Sequence, residues 1–212
     1  MTTDHQTHTR KLGENEAADR RAQKGSRKPA RKVPRKATPK SLENAALYYL
    51  ERFASSAENL RRVLMRRVER SARAHGTDRE EGAVAIDDIV RRFVASGILD
   101  DRAYAAARTG TLHRRGASAR KIRASLMQKG VAQDDIEAAL VTLRDEADDP
   151  ELAAAITLAR RRRLGPYRPD TDRGARREKD LAALARAGFG YDIARQVIEA
   201  SDIEALETLT DI

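Results

Sequence analysis

From Ser41 onward, apolar residues return every three or four positions, the spacing that gathers them on one side of an α-helix. Leu42, Ala45, Ala46, Tyr49, Leu50 and Phe53 make the first such stripe. Ser55-Ser56-Ala57-Glu58 then reads as a Ser-x-x-Glu capping box, in which a hydroxyl and a carboxylate satisfy N–H groups left open at a helix start. The helix it opens turns Leu60, Val63, Leu64 and Val68 inward and is predicted to reach about Ala74. Beyond a break from His75 to Gly82, Ile86, Ile89, Val90, Phe93 and Val94 form a third stripe, which Gly97 stops.

The pattern then restarts. Asp100 and Asp101 open a helix with Ala103, Tyr104 and Ala107 inward, Gly116 punctuates it, and Ser118 caps a helix that packs Ile122 and Leu126. After Gly130, Asp134 and Asp135 start another with Ile136, Ala139, Leu140 and Leu143. Asp149-Pro150 opens a further set, because Asp caps and Pro suits the first helical position. Its stripes are Leu152, Ala155, Ile156 and Ala159, then Leu181 and Leu184, then, past Gly188, Ile193, Val197 and Ile198.

Sequence similarity between these sets supports repetition. SARKIRASLMQKGVAQDDIEAAL aligns with REKDLAALARAGFGYDIARQVI at an offset near 58, and SAENLRRVLMRRV aligns with SARKIRASLMQKG at an offset of 62, pairing Leu64-Met65 with Leu126-Met127. The expected organisation is an all-α chain of three tandem three-helix repeats at 41–99, 100–147 and 148–212, the last range including a C-terminal tail, behind an arm of residues 1–40. Stacking of neighbours is expected to give these small units a continuous core.

Composition agrees with helix: 40% hydrophobic residues but only 4% aromatic, 35% charged, no Trp and no Cys. The lack of Cys excludes disulfides and thiolate ligands, and the absence of a long apolar run speaks against a membrane span, so a cytoplasmic protein is expected. The net charge of +9 is less informative than its location. Residues 1–40 hold 12 Lys+Arg against 4 Asp+Glu, which leaves 30 against 29 in the rest. The arm ends in KGSRKPARKVPRKATPK, with three prolines and no acid, and is expected to be disordered. Such an arm can neutralise phosphates by counterion release, or serve only as a solubilising tail or tag.

Catalytic chemistry finds no foothold. Of His5, His8, His75 and His113, only His5-x-x-His8 has ligand spacing, and it sits in the arm with no second ligand pair, so no metal is expected. The acid pairs Asp87-Asp88, Asp100-Asp101, Asp134-Asp135 and Asp148-Asp149 fall near predicted helix starts, where exposed N–H groups and the helix dipole favour carboxylates. No phosphate-cradling loop, dinucleotide fingerprint or nucleophile elbow is present, so neither a cofactor nor enzymatic activity is expected.

Charge segregation is the positive signal. Arg102 to Gly130 contains eight basic residues and no acid, whereas Gln133 to Glu151 has eight acids and one Arg. A solvated face mixes signs to avoid repulsion, so separation of this kind points to a partner surface. The candidate binding residues are Arg114, Arg115, Arg120, Lys121, Arg123 and Lys129, with further clusters at Arg61, Arg62, Arg66 and Arg67 and at Arg160, Arg161, Arg162 and Arg163. Arginine in this number suits bidentate contact with phosphates or carboxylates.

The stretch GILDDRAYAAARTGTLHRRGASARKIRASLMQKGV resembles the RecX family through Gly97, Leu99, Asp100, Asp101, Arg115, Gly116, Ile122, Arg123, Leu126, Lys129 and Gly130. The resemblance extends roughly over residues 41–201. It implies an elongated, curved monomer that lodges in the groove of a RecA filament on single-stranded DNA. There it would restrain ATP hydrolysis, strand exchange and co-protease activity, within DNA repair, homologous recombination and the SOS response. The span Ser71 to Ala85 looks like an insertion in the first repeat, and the basic arm lies outside the family pattern. A direct binder of single- or double-stranded DNA, of nucleoid or transcription type and independent of RecA, is the alternative that basic helical units also suit.

Overall fold

The computed structural model describes residues 33–146 and 148–208. The chain divides into two units, Met1–Arg35 and Lys36–Ile212. The arm expected at 1–40 lies outside the described residues as far as residue 32. Ala37 is already held, its N–H donating to the fully buried Ser71 hydroxyl at 2.9 Å.

Ten α-helices occupy the described part of the second unit. Those of the first repeat are α1 (Pro39–Leu50), α2 (Ala57–His75) and α3 (Arg79–Ala95). The second repeat holds α4 (Asp101–His113), α5 (Ala119–Gln128) and α6 (Gln133–Asp145). The third holds α7 (Pro150–Arg162), a 3-10 turn at Gly165–Tyr167, α8 (Asp170–Ala187), α9 (Tyr191–Glu199) and α10 (Ile203–Thr208). No strand occurs among the described residues. The chain is all-helical, as the periodicity predicts.

Short polar side chains set the starts. Asp100 Oδ1 accepts the Ala103 N–H at 2.8 Å, Ser118 Oγ that of Lys121 at 3.3 Å, and Asp149 Oδ1 that of Leu152 at 2.9 Å. One expected cap moves: Ser56 rather than Ser55 caps α2, accepting from Asn59 N–H at 3.2 Å. Glu58 does not close a capping box; it lies 3.3 Å from the Arg62 guanidinium.

Three separate apolar clusters replace the expected continuous core. Leu42, Leu60, Leu64, Val68, Ile86, Ile89 and Phe93 centre the first. Ala105, Ile122, Leu126, Ile136 and Leu140 centre the second, and Leu152, Ala155, Ile156, Leu184, Phe189, Val197 and Leu206 the third. Each repeat therefore buries its own apolar side chains. The insertion-like span Ser71 to Ala85 helps the first repeat do so, because it is mostly helix: α2 has 19 residues against 10 in α5, and α3 has 17 against 13 in α6.

Some faces differ from their expected register. Phe53 and Val94 are 56% and 52% exposed. Helix α1 stops at Leu50, so Phe53 leaves the stripe and rests on the Tyr49 ring, with centroids 5.3 Å apart. In α4 the buried positions are Ala105 and Thr109, while Ala103 and Ala107 are exposed. An alanine-rich helix offers little contrast between faces, so packing decides its rotation.

Within the third repeat, Asp180 is 2% exposed and binds Arg168 twice, at 2.8 and 2.9 Å, and the Gly165 N–H at 3.0 Å. Burial pushes its carboxyl up, but the guanidinium and the N–H outweigh that and hold it below the usual carboxylate range. This pair ties the 3-10 turn to α8.

Candidate functional site

The repeats are joined by polar seams, and these seams position the basic residues. At the first, the buried Ser56 hydroxyl caps α2 and also donates to the Lys129 carbonyl, at 2.5 Å, where α5 ends. The Ala57 N–H, left open at the start of α2, donates to Asp101 Oδ1 of the next repeat at 2.8 Å. At the second seam the same arrangement recurs one repeat along. Ser118 Oγ caps α5 and donates to the Ala187 carbonyl at 2.8 Å, and the Ala119 N–H donates to Glu151 Oε2 at 2.9 Å. Each seam thus sets a helix start against another helix end, so that groups unpaired within one repeat find partners in the next.

Close backbone approach depends on glycine in the second seam. Gly188 lies at φ +104, and a Cβ there would meet Ser118 Oγ at 2.4 Å. Gly116 lies at φ +77 on the backbone of α7, where a Cβ would come within 2.8 Å of Leu158 N and 2.9 Å of Ala154 O. Beside it the His113 ring N–H donates to the Pro150 carbonyl at 2.7 Å.

Six of the fourteen candidate cations are committed to partners within the protein. Arg61 pairs with Asp87 and Glu58, and Arg62 with Glu58 and the Gln128 carbonyl, the latter at 2.9 Å across the first seam. Lys129 Nζ donates to Asn59 Oδ1 at 3.2 Å across the same seam. Arg120 reaches the Ala185 carbonyl at 3.2 Å and Arg161 the Arg115 carbonyl at 2.7 Å, both across the second. Arg123 makes a two-pronged contact with Glu137, 2.9 Å on each arm, which holds the Glu137 carboxyl below its usual range.

The other eight, Arg66, Arg67, Arg114, Arg115, Lys121, Arg160, Arg162 and Arg163, are exposed, and their side chains have no hydrogen-bond or ion-pair partner among the described residues. The Arg161 clamp brings together two clusters separated by 46 residues of sequence, the Arg114-Arg115 turn after α4 and the end of α7. Five arginines with unpaired, exposed side chains lie on these two segments: Arg114, Arg115, Arg160, Arg162 and Arg163. Arg163 adopts φ +54, the left-handed conformation that turns the chain at the end of α7. Cations at a helix end gain about 0.3–1 kcal/mol from its dipole, which accounts for one or two of these residues and leaves the others available to an anionic partner.

The acid pairs divide likewise. Asp100 and Asp149 cap helices, and Asp134 and Asp135 lie in the first turn of α6. Asp87-Asp88 does not sit near a helix start as expected; it lies within α3, paired with Arg61, Arg91 and Arg92. Arg92 and Arg91 hold the Asp88 carboxyl below its usual range. No group of three or more His, Cys, Asp or Glu that could hold a metal ion occurs among the described residues. No helix there is long and apolar enough to cross a membrane.

Sequence reasoning missed the seam acids Asp101 and Glu151 as cross-repeat acceptors, and it missed Arg70 and Arg73, which continue the exposed basic face of α2. Their spacing from Arg66 was the available signal.

Comparison with known proteins points one way. Residues 100–140 match the family model of the RecX second three-helix domain. The regulatory protein RecX of Myxococcus xanthus (strain DK1622) is 42% identical over 172 residues, covering 80% of this chain and 90% of that protein. The regulatory protein RecX of Agrobacterium fabrum (strain C58) is 34% identical over 170 residues, covering 79% and 87%. In fold, the chain is similar to the crystal structure of RecX from Lactobacillus salivarius, with a TM-score of 0.53 at 23% identity, covering 76% of this chain and 94% of that one.

Proposed function

Because the chain belongs to the RecX family of regulatory proteins, we propose that it binds the RecA filament on single-stranded DNA and restrains its ATP hydrolysis, strand exchange and co-protease activity. It acts by binding, as a cytoplasmic monomer, and makes or breaks no bond. The observation that supports this reading is that the Arg161 clamp joins two chain segments that carry Arg114, Arg115, Arg160, Arg162 and Arg163, all exposed and unpaired among the described residues. Holding the two backbone segments together keeps several arginines in one neighbourhood, and arginine suits bidentate contact with carboxylates or phosphates.

DNA-dependent ATP hydrolysis by the cognate RecA, followed at fixed salt with increasing amounts of this protein, tests it. Hydrolysis should fall, and a chain carrying Arg160→Glu, Arg162→Glu and Arg163→Glu should lose most of that effect while keeping its helical circular dichroism. Unchanged hydrolysis at saturating protein, with tight binding to bare DNA, would favour the RecA-independent DNA binder instead.

A further inference from the structure

The free cations fall in two places, and their surroundings differ. We propose that the exposed face of α2, built by Arg66, Arg67, Arg70 and Arg73, is a separate seat for the phosphate backbone of nucleic acid, distinct from the cluster at the second seam. This rests on the nucleic-acid half of the proposed function and assigns that half to particular residues.

Helical register makes the first argument. Arg66, Arg70 and Arg73 follow i, i+4, i+7 and lie on the side of α2 opposite Leu60, Leu64 and Val68, with Arg67 flanking them. All four are exposed. The Arg66-to-Arg73 row extends about 10 Å, at 1.5 Å per residue. At about 3.4 Å per nucleotide, that length matches about three successive phosphates of one strand.

The absence of competing acid makes the second. Helix α2 carries only two acids, Glu58 and Glu69. Glu58 is taken up by Arg61 and Arg62, and Glu69 by Arg79 at 3.1 Å. No carboxylate pairs with the four arginines among the described residues; Arg70 Nε donates to the Arg66 carbonyl at 3.1 Å, within the same helix. Like charges at this spacing cost an isolated helix a few tenths of a kcal/mol per pair, a cost that a row of anions would reverse.

The row exists because α2 is longer than its counterpart. Helix α5, the counterpart of α2, ends at Gln128, with Lys129 and Gly130 in contact with Ser56 and Glu58 of the preceding repeat. Helix α2 continues to His75, and the added turns bring Arg70 and Arg73. The longer helix therefore lengthens the basic face as well as the core. A regular row on one straight helix suits a repeating backbone, whereas the irregular cluster on two helix ends suits a shaped protein surface.

Binding of a fluorescent oligo(dT) to the full-length chain, without RecA and across a salt series, separates the two. Replacing Arg66, Arg67, Arg70 and Arg73 by Gln, a residue of similar helix propensity, should lower the slope of log affinity against log salt by about 2, for three lost phosphate contacts at about 0.7 each on single strands. The same four changed to Lys should keep most of the slope. Arg160→Gln, Arg162→Gln and Arg163→Gln should leave it within one unit of the parent. The proposal is overturned if the Gln set keeps the parental slope while remaining helical, or if the seam set lowers it as much. A Gln set that keeps DNA binding but no longer affects RecA hydrolysis would make α2 a protein-binding face and also overturn it. If the parent chain leaves RecA hydrolysis unchanged, the regulatory reading fails while the slope comparison still decides this one.

Discussion

The two seams use one design with different strength. Both set a capping serine against a helix-ending carbonyl and a seam carboxylate against the first free N–H of the preceding repeat's second helix, through Ser56 and Asp101 in one and Ser118 and Glu151 in the other. Each seam is reinforced beside its serine, by Arg62 on the Gln128 carbonyl and Lys129 on Asn59 in the first and by Arg120 on the Ala185 carbonyl in the second; the second is also held at a separate place, with Gly116 on the α7 backbone, His113 on Pro150 and Arg161 on Arg115. The residue that corresponds to Gly116 in the first repeat, at the offset of 62, is Ala54, which is exposed. The seam fastened twice is the one that gathers five free arginines. A surface that must present several like charges at fixed spacing benefits from rigid support, because mutual repulsion would otherwise spread them.

The most severe way to break this difference is Gly116→Ala, which adds left-handed strain and a clash with α7 backbone atoms. We expect a loss of about 3 kcal/mol in chemical denaturation, with the second and third repeats losing amide protection together. Next come Ser56→Ala and Ser118→Ala, each removing a cap and stranding a seam carbonyl, for about 2 kcal/mol. Hydrogen exchange sharpens the comparison: Ser56→Ala should open the first seam locally, whereas after Ser118→Ala the Arg161 and His113 contacts should keep the second closed. Equal opening in the two variants would remove the distinction. Arg161→Ala, which deletes one hydrogen bond at an exposed position, should cost about 1 kcal/mol or less yet lower affinity for the filament by loosening the Arg114-Arg115 turn.

The smallest expected effect is on pH dependence. Burial pushes the Asp101 carboxyl up, and Asp135 and Asp100 add to that against the Ala57 N–H. A carboxyl whose pKa is raised on folding holds its proton more tightly in the folded state, so stability falls as pH rises from the ordinary carboxylate value through the raised one. Asp101→Asn keeps an acceptor for Ala57 without a charge. It should gain stability relative to the parent above that window and not below it, as thermal melts across mildly acidic pH would show; a pH-independent difference would reject the account.

Helix starts were legible because they are local: Asp100, Ser118 and Asp149 cap the helices their positions predict. The Leu and Ile stripes were legible for the same reason, since strong contrast fixes a face. The rotation of α4 was not, because Ala103 and Ala107 differ too little from Ala105 to choose one side without neighbours. The basic residues were legible as clusters, but their division into clamps and free groups was not. Arg62 and Arg120 bond to backbone carbonyls of other helices and Arg161 to one in the turn after α4, and a carbonyl leaves no mark in the side-chain sequence. The acids Asp101 and Glu151 were hidden behind a correct local rule: both stand at a helix start, but each caps the start of a helix in another repeat.

The separation of the three apolar clusters has a consequence for how such a chain can change over evolutionary time. Where repeats share a core, altering one obliges its neighbour to repack; here they meet through a few hydrogen bonds at fixed places. A unit can gain turns, as α2 and α3 have, without any adjustment next door, provided its serine, its seam carboxylate and its helix-ending carbonyl stay in position. The array is then a set of modules joined by a repeated coupling, free to vary its length and charge unit by unit.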